Sequence, residues 1–210
     1  MQRCGWVTED PLYLAYHDRE WGIAQNNKQA LFEMLCLEGQ QAGLSWITVL
    51  KKRENYRRAF HAFDPQAVSQ MDDEDLARLM QDSGLIRHRG KLTAIINNAR
   101  AYLAMEAKGE DFARFVWGFV DNQPVVHHFA NYKEVPTTSE QAIALSKALK
   151  QRGFKFVGPT ICYSFMQACG LISDHQTNCF CHPDTFYPQT RQNKSFPHPF
   201  FLLKRHNLAA

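Results

Sequence analysis

Apolar residues recur at helical spacing along most of the chain. The clearest stripe covers residues 91–107 and consists of Leu92, Ile95, Ile96, Ala99, Tyr102 and Leu103. The same spacing predicts four further helices: one over residues 28–40, one from about 45 to 63, one that runs through Met80, and one over 112–120. Almost no segment alternates apolar and polar residues with period two. We therefore predict an all-α fold.

Two helices joined by a tight hairpin are predicted in the last third of the chain. A helical run ends at Arg152, and Gly153 follows at the position that favours a left-handed residue. After the hairpin residues 154–157, Gly158 and Pro159 suit the start of the next helix. The helix-hairpin-helix unit is expected over about residues 139–170.

The hairpin has two alternative interpretations. Thr138 and Gln141 fit a capping box for its first helix. Backbone N–H groups at the start of the second helix favour binding of an anion, such as a phosphodiester group of DNA. The positive charges nearby are Lys147, Lys150, Arg152 and Lys155. A DNA contact is one interpretation, and an ordinary helical hairpin with a solvated basic face is the other.

Composition excludes several classes of protein. The chain has 210 residues, of which 45% are hydrophobic, so it can bury one good core. A net charge of +3 is too small to identify a nucleic-acid binder. There is no signal-peptide layout and no apolar run of membrane-spanning length, so we expect a cytoplasmic protein. We expect one domain over residues 1–183 and a peripheral or disordered Pro-rich tail over 184–210.

Cysteines and histidines at both ends of the chain suggest a metal site. The six cysteines of a cytoplasmic chain favour buried thiols or metal ligation over disulfides. One Cys2His2 zinc set is formed by Cys4, His17, His175 and Cys179. Four protein ligands would leave no place for water, which favours a structural role. Cys181 and His182 are rival ligands, and the spacing alone does not decide.

Aromatic residues cluster near the first possible metal ligands. Trp6, Tyr13, Tyr16 and Trp21 lie among charged residues, and they either pack as core or line a pocket. Glu38 occurs in an otherwise apolar neighbourhood. It is either a surface residue at a helix end or a buried, working carboxylate.

Five stretches together resemble a known family. They are RCGW (3–6), DPLYLAYHDREWG (10–22), LFEMLCLEGQQAGLSW (31–46), IRHRGK (86–91) and RGFKFVGPTICYSFMQACGLISDH (152–175). They are similar to the DNA-3-methyladenine glycosylase I family over roughly residues 1–183. The resemblance implies a helix-hairpin-helix glycosylase that removes 3-methyladenine from alkylated double-stranded DNA, releases the free base and leaves an abasic site. It also implies one structural zinc ion on Cys4, His17, His175 and Cys179.

The resemblance assigns roles that the chemistry of the residues supports. Glu38 becomes the carboxylate that recognises the base, with Tyr16 and Trp46 stacking on a cationic purine. The expected pocket walls are Trp6, Tyr13 and Trp21. Leu44, on the turn with Gly43, is expected to fill the gap left by the flipped nucleotide. The expected DNA contacts of the hairpin are Gly153, Lys155, Phe156, Gly158 and Thr160.

Several alternatives stay open. Residues 159–169 contain no lysine nucleophile, so a lyase step is not expected. Asp174 either supports a metal ligand or caps a turn, or it corresponds to the catalytic aspartate of the wider superfamily. A DNA-binding module without activity and a glycosylase that also accepts 7-methylguanine are the rival functions. A monomer without membrane association is the default expectation.

Overall fold

The computed structural model describes residues 1–186, and helices dominate this part of the chain. The α-helices are α1 (Pro11–Arg19), α2 (Lys28–Gln41), α3 (Trp46–Leu50), α4 (Arg53–Ala59), α5 (Pro65–Ser69), α6 (Asp73–Gln81), α7 (Arg89–Glu106), α8 (Phe112–Trp117), α9 (Glu140–Gln151), α10 (Pro159–Ala168) and α11 (Pro183–Phe186). Short 3-10 helices cover His61–Phe63, Gly118–Val120 and Tyr132–Glu134.

A two-stranded parallel sheet corrects the prediction of a purely helical fold. Strand β1 (Val125–Val126) pairs with β2 (Ile172–Ser173), with Val125 opposite Ile172. Strands of two residues are too short to show an alternating pattern, so the sequence predicted a loop here. The pair fixes the segment that leads from β2 into the possible metal ligand His175.

Helix α2 lies at the centre of the core and packs against α7 and α10. The side chain of Asn27 caps its start by accepting from the Ala30 amide at 3.0 Å. Leu31, Phe32 and Leu35 are fully buried on this helix. Glu38 and Gln40 follow on the same helix and are buried as well, so α2 places a carboxylate inside the protein.

The helix predicted over residues 45–63 is wrong in its continuity, because the chain bends at Lys51 and Lys52 and divides it into α3 and α4. Its last turn is a 3-10 helix with left-handed backbone angles. Leu50 and Phe60 on the two sides of the bend both face the core, so the apolar period continues across the break. Hydrophobic spacing alone could not show the bend.

Helices α9 and α10 flank the hairpin. Gly153 has a φ of +90° at the end of α9, which favours glycine. Gly158 caps α10, and Pro159 occupies its first turn. The predicted capping box at Thr138 is wrong, since the Ser139 hydroxyl accepts from the Ala142 amide at 3.2 Å instead.

The end of the chain is described only as far as α11. Of the predicted tail over residues 184–210, positions 187–210 lie outside the described residues. Among residues 1–186, no helix has the length and apolar character needed to cross a membrane.

Candidate active site and metal centre

A cavity of about 300 Å³ opens between α1, α2, α3 and α10. Five aromatic rings predicted from the sequence line it, namely Trp6, Tyr13, Tyr16, Trp21 and Trp46. The ring centroids of Trp6 lie 5.0 Å from those of both Tyr13 and Trp21. Tyr16 and Trp46 form a second pair at 5.4 Å. The structure thus supports a lined pocket over a plain aromatic core.

Glu38 lies in the wall of this cavity and is only 3% exposed. Its Oε2 atom is buried and has no hydrogen-bond partner within the described residues. Burial raises the pKa of Glu38 to about 8. Of the two alternatives for this residue, a buried carboxylate is therefore the correct one. A buried polar atom without a partner, aimed at a cavity, is typical of a ligand-binding site.

Two indole N–H groups in the same wall are also left without acceptors. Trp6 Nε1 and Trp46 Nε1 are buried and unpaired within residues 1–186. Burial, and secondarily the nearby carboxyl of Glu38, raise the pKa of Tyr13 and Tyr16. The pocket therefore offers ring faces, indole donors and one carboxyl to a ligand.

The opposite wall comes from α10 and includes a polar face that the sequence interpretation missed. Thr160, Tyr163, Ser164 and Gln167 all line the cavity. Their spacing of three, one and three residues places them on one side of a helix, and this period could have revealed them. Thr160 was predicted as a DNA contact; it is exposed at the start of α10 and lines the pocket mouth.

Asp174 joins this polar wall through three short hydrogen bonds. Its carboxylate accepts from the Tyr163 hydroxyl and from Gln167 Nε2, both at 2.6 Å. His127 Nδ1 lies 2.6 Å from its other oxygen. Asp174 makes no hydrogen bond to His175 or to a turn amide in the described part of the chain, so the alternative in which it supports a metal ligand or caps a turn is wrong. It holds the α10 wall instead.

A third wall comes from the segment before α9. Tyr132, Val135, Pro136 and Thr137 line the cavity, and Tyr132 is 39% exposed. This segment has no regular period, and only tertiary packing brings it to the pocket. No signal in the sequence could have identified it.

The fold brings four possible metal ligands close to one another, namely Cys4, His17, His175 and Cys179. Cys4 and His175 are 171 positions apart in the sequence. All four are buried, and their donor atoms lie within 4.8 Å of one another. Cys4 Sγ is 3.5 Å from His175 Nδ1. Cys179 Sγ is 3.5 Å from His17 Nε2 and 3.7 Å from His175 Nδ1. Hydrogen bonds from the Cys4 thiol and then from the two imidazoles lower the pKa of Cys179 far below its usual range.

The outer nitrogens of both imidazoles have partners that fix the ring orientations. His17 Nδ1 lies 2.8 Å from Asp18 Oδ1, and Asp18 is held in turn by Arg3. His175 Nε2 donates to the Trp21 carbonyl at 3.1 Å. Imidazoles that bind metal ions commonly have such outer partners. Of the rival ligands, Cys181 lies beside His17 and Asp18, whereas His182 belongs to a different group.

A buried lysine fixes the end of α2 and the turn that follows it. Lys91 is 5% exposed, and its Nζ donates to the carbonyls of Gln40 at 2.8 Å and Ala42 at 2.6 Å. Beyond this clamp, Gly43 has a φ of +76° and Leu44 is 41% exposed. The turn therefore exposes the apolar side chain of Leu44 to solvent, three residues after the end of α2. The hydrogen bonds of Lys91 stabilise this turn.

The hairpin between α9 and α10 is fixed from inside and open outside. Asn98 pairs with both backbone groups of Lys155, accepting from its amide at 2.7 Å and donating to its carbonyl at 3.1 Å. The Ser146 hydroxyl donates to the Val157 carbonyl at 2.6 Å. Lys155 and Phe156 are exposed, and Phe156 approaches Gly39 of α2. The hairpin is thus held beside the helix that contains Glu38.

Comparisons with known proteins agree on one family. The family model described as methyladenine glycosylase matches residues 6–182. The chain is 65% identical over 183 residues to DNA-3-methyladenine glycosylase 1 of Escherichia coli (strain K12). The matched region covers 87% of this chain and 98% of that protein. A crystal structure of 3-methyladenine DNA glycosylase I superposes with a TM-score of 0.86 at 65% identity, covering 87% of this chain and all of that one.

A further solved structure bears on the pocket. It is a tyrosine-to-phenylalanine variant of 3-methyladenine DNA glycosylase I in complex with 3-methyladenine. It is 43% identical, has a TM-score of 0.81, and covers 85% of this chain and 96% of that one.

Proposed function

The chain belongs to the methyladenine glycosylase family, as its motifs predicted, and from this premise we propose how its pocket works. The protein is a DNA-3-methyladenine glycosylase that removes 3-methyladenine from alkylated DNA. The observation that supports this function best is the unpaired Oε2 of Glu38 in an aromatic cavity. A DNA-binding module without activity would have no use for a buried carboxyl of this kind.

The pocket captures a purine that carries positive charge. Methylation at N3 gives the base a delocalised positive charge, so electron-rich rings of Tyr16 and Trp46 attract it. Glu38, once ionised, accepts a hydrogen bond from the exocyclic amine of adenine. Because a nearby cation favours the ionised carboxyl, the bound base lowers the pKa of Glu38 from its raised value in the free protein. Trp6, Tyr13 and Trp21 complete the enclosure.

The reaction is hydrolysis of the N-glycosidic bond. The bond between C1′ and the purine breaks, and its electron pair neutralises the charge on the leaving base. Water adds to C1′ and loses a proton to solvent, which leaves an abasic site. Helix α10 contains no lysine that could form a Schiff base, so we propose a monofunctional enzyme.

The proposed DNA contacts come from the turn after α2 and from the hairpin. Leu44 on the turn after α2 fills the gap left by the flipped nucleotide. Backbone amides of the hairpin and the start of α10 bind phosphate oxygens, and Lys155 adds positive charge. The exposed position of Leu44 and the fixed hairpin backbone support these roles.

We also propose one structural zinc ion on Cys4, His17, His175 and Cys179. Tetrahedral zinc with bonds of about 2.3 Å to sulfur and about 2.0 Å to nitrogen separates sulfur from nitrogen ligands by roughly 3.5 Å. The sulfur–nitrogen distances of 3.5, 3.5 and 3.7 Å fit this requirement. When bound, the ion supplies a cross-link between the two ends of the domain. We keep a cytoplasmic monomer as the expected state.

Base release from methylated DNA tests the function. We expect purified protein to release 3-methyladenine and to leave abasic strands uncut, and Glu38→Gln to lose most of this release while still binding duplex DNA. Glu9→Gln, an exposed carboxylate, serves as the matched control. Unchanged release by the Glu38 variant would contradict the assigned role. Release of 7-methylguanine as well would show a wider pocket than we propose.

Metal analysis of the purified protein tests the zinc proposal. We expect one zinc ion per chain, its loss in Cys4→Ser and its retention in Cys181→Ser, since Cys181 lies outside the four-residue group. Loss of zinc from the Cys181 variant alone would assign the ion to the rival ligands.

A further inference from the structure

The third wall of the pocket includes an aromatic ring that projects from a short, capped helix. Tyr132 lines the cavity and is 39% exposed, so its ring lies at the rim of the cavity and not in the core. It begins the 3-10 helix Tyr132–Glu134, and at the start of this helix Asn131 Oδ1 accepts from the Lys133 amide at 3.0 Å. The cap fixes the backbone from which the ring projects.

The buried side chain of Gln176 attaches this segment to the start of the chain. Its Oε1 accepts from the Gly5 amide at 2.5 Å, and its Nε2 donates to the Ala130 carbonyl at 2.7 Å. Gln176 is only 7% exposed, so solvent does not compete freely for these two hydrogen bonds. The pair of bonds holds the segment that contains Tyr132 next to the residue that precedes Trp6.

Gly5 allows the Tyr132 ring to approach this closely. A Cβ atom at position 5 would lie 2.7 Å from Cδ1 and 2.9 Å from Cε1 of Tyr132. Gly5 does not have a positive φ, so its backbone conformation does not require glycine. The close approach of the aromatic ring does require it, because any larger residue would occupy the space that the ring fills.

The exposed part of the ring is available to a ligand in the cavity. More than a third of the residue's surface stays exposed, so burial alone does not account for a ring that is held on two sides. Aromatic faces stack on purine bases. A cavity of about 300 Å³ is at the lower end of the range for ligand pockets, so one ring at its rim determines a large share of the space.

We propose that Tyr132 determines which alkylated purines the pocket accepts, an inference that rests on the function proposed above. The Tyr132 ring covers the open end of the cavity, contacts the bound base and leaves no room for an alkyl group larger than methyl. Gly5 is a positioning residue, because it leaves free the space that the ring occupies. The ring face, and not the hydroxyl of Tyr132, is what this role requires.

Calorimetry of the purified full chain with free 3-methyladenine and free 3-ethyladenine tests this role. One extra methylene changes binding in a close-fitting pocket by about 10-fold or more, so the unchanged chain should prefer the methyl base by at least this factor. Tyr132→Ala should bind 3-methyladenine about 10-fold more weakly, because a stacked ring is lost, and should lose the preference. Tyr132→Phe should retain both the affinity and the preference.

Gly5→Ala tests the same contact from the other side, and it carries the comparison if Tyr132→Ala does not fold. The new Cβ atom displaces the Tyr132 ring, so this variant should also bind 3-methyladenine more weakly and lose the preference. In the Tyr132→Ala background, Gly5→Ala should have no further effect, because no ring is left to displace. An effect that persists in that background would mean that the substitution acts elsewhere, and the positioning role of Gly5 would be wrong.

The matched control is Ile143→Ala, which changes an exposed apolar residue of α9 outside the cavity lining. It should bind both bases as the unchanged chain does, with equal metal content. Unchanged affinity and preference in Tyr132→Ala would overturn this inference and leave the proposed function standing. Weaker binding with an unchanged preference, or equal affinity of the unchanged chain for both bases, would contradict the specificity role. No binding of 3-methyladenine by the unchanged chain would refute the proposed function itself.

Discussion

Replacing Glu38 by Gln should change how stability depends on pH. Burial raises the pKa of Glu38 in the folded protein from 4.5 to about 8. The folded chain therefore binds this proton more tightly than the unfolded chain does. The contribution of the protonated carboxyl is fully present below about pH 4.5, and it is lost as the pH rises through about 8. Glutamine has nearly the same shape and cannot ionise.

The size of the effect follows from the shift. Each pKa unit corresponds to about 1.4 kcal/mol, so the full shift lowers the free energy of unfolding by roughly 5 kcal/mol above pH 8. Between about pH 6 and about pH 8.5 the expected loss is roughly 2 to 3 kcal/mol. The Gln variant should lack this component and should be more stable than the unchanged chain at the higher pH.

The assay is urea unfolding of both proteins at several pH values with equal metal content. All other titratable groups are present in both proteins and contribute equally to each. The difference between the two free energies of unfolding therefore isolates Glu38. Curves that stay parallel within about 0.5 kcal/mol from pH 6 to 8.5 would refute the buried, protonated state. Glu9→Gln should give such parallel curves because Glu9 is exposed.

Three further substitutions test the elements around the pocket. Lys91→Met removes the buried cation from the carbonyls of Gln40 and Ala42 and should lower stability by about 2 kcal/mol in urea unfolding, whereas Lys108→Met should not. Leu44→Ala should keep the affinity for free 3-methyladenine in calorimetry and slow excision from duplex DNA about 10-fold. Gly153→Ala imposes a side chain at φ +90° and should cost about 1 kcal/mol by thermal unfolding, while Gly118→Ala, without a positive φ, should not.

Local signals predicted most helices because their apolar faces are long. The stripe over residues 91–107 corresponds to α7 at Arg89–Glu106, and the segment 28–40 corresponds to α2 at Lys28–Gln41. The break between α3 and α4 was missed because apolar residues on both sides face the same core. The β1–β2 pair was missed because two residues show no period. Short elements depend on tertiary contacts that spacing does not contain.

The candidate site was predictable where residue chemistry is unusual. The aromatic rings near the possible metal ligands left a plain core and a lined pocket as alternatives, as Glu38 left a surface and a buried role, and the resemblance assigned the roles. Tyr132 and Lys91 could not be predicted in the same way. Tyr132 belongs to an irregular segment, and Lys91 is a lysine within a basic cluster that spacing places at the surface. Its burial depends on the position of the α2 carbonyls.

The proposed zinc site and the base pocket are parts of one structure. The Trp21 carbonyl accepts the outer N–H of His175, and the Trp21 ring lies 4.6 Å from the His175 ring. Trp6 packs edge-on against His17 at 5.4 Å. Both indoles line the pocket, so the imidazoles determine where two of its walls stand. The proposed zinc ion would therefore act on catalysis through the position of Trp6 and Trp21, because a wall that moves no longer encloses a flat base.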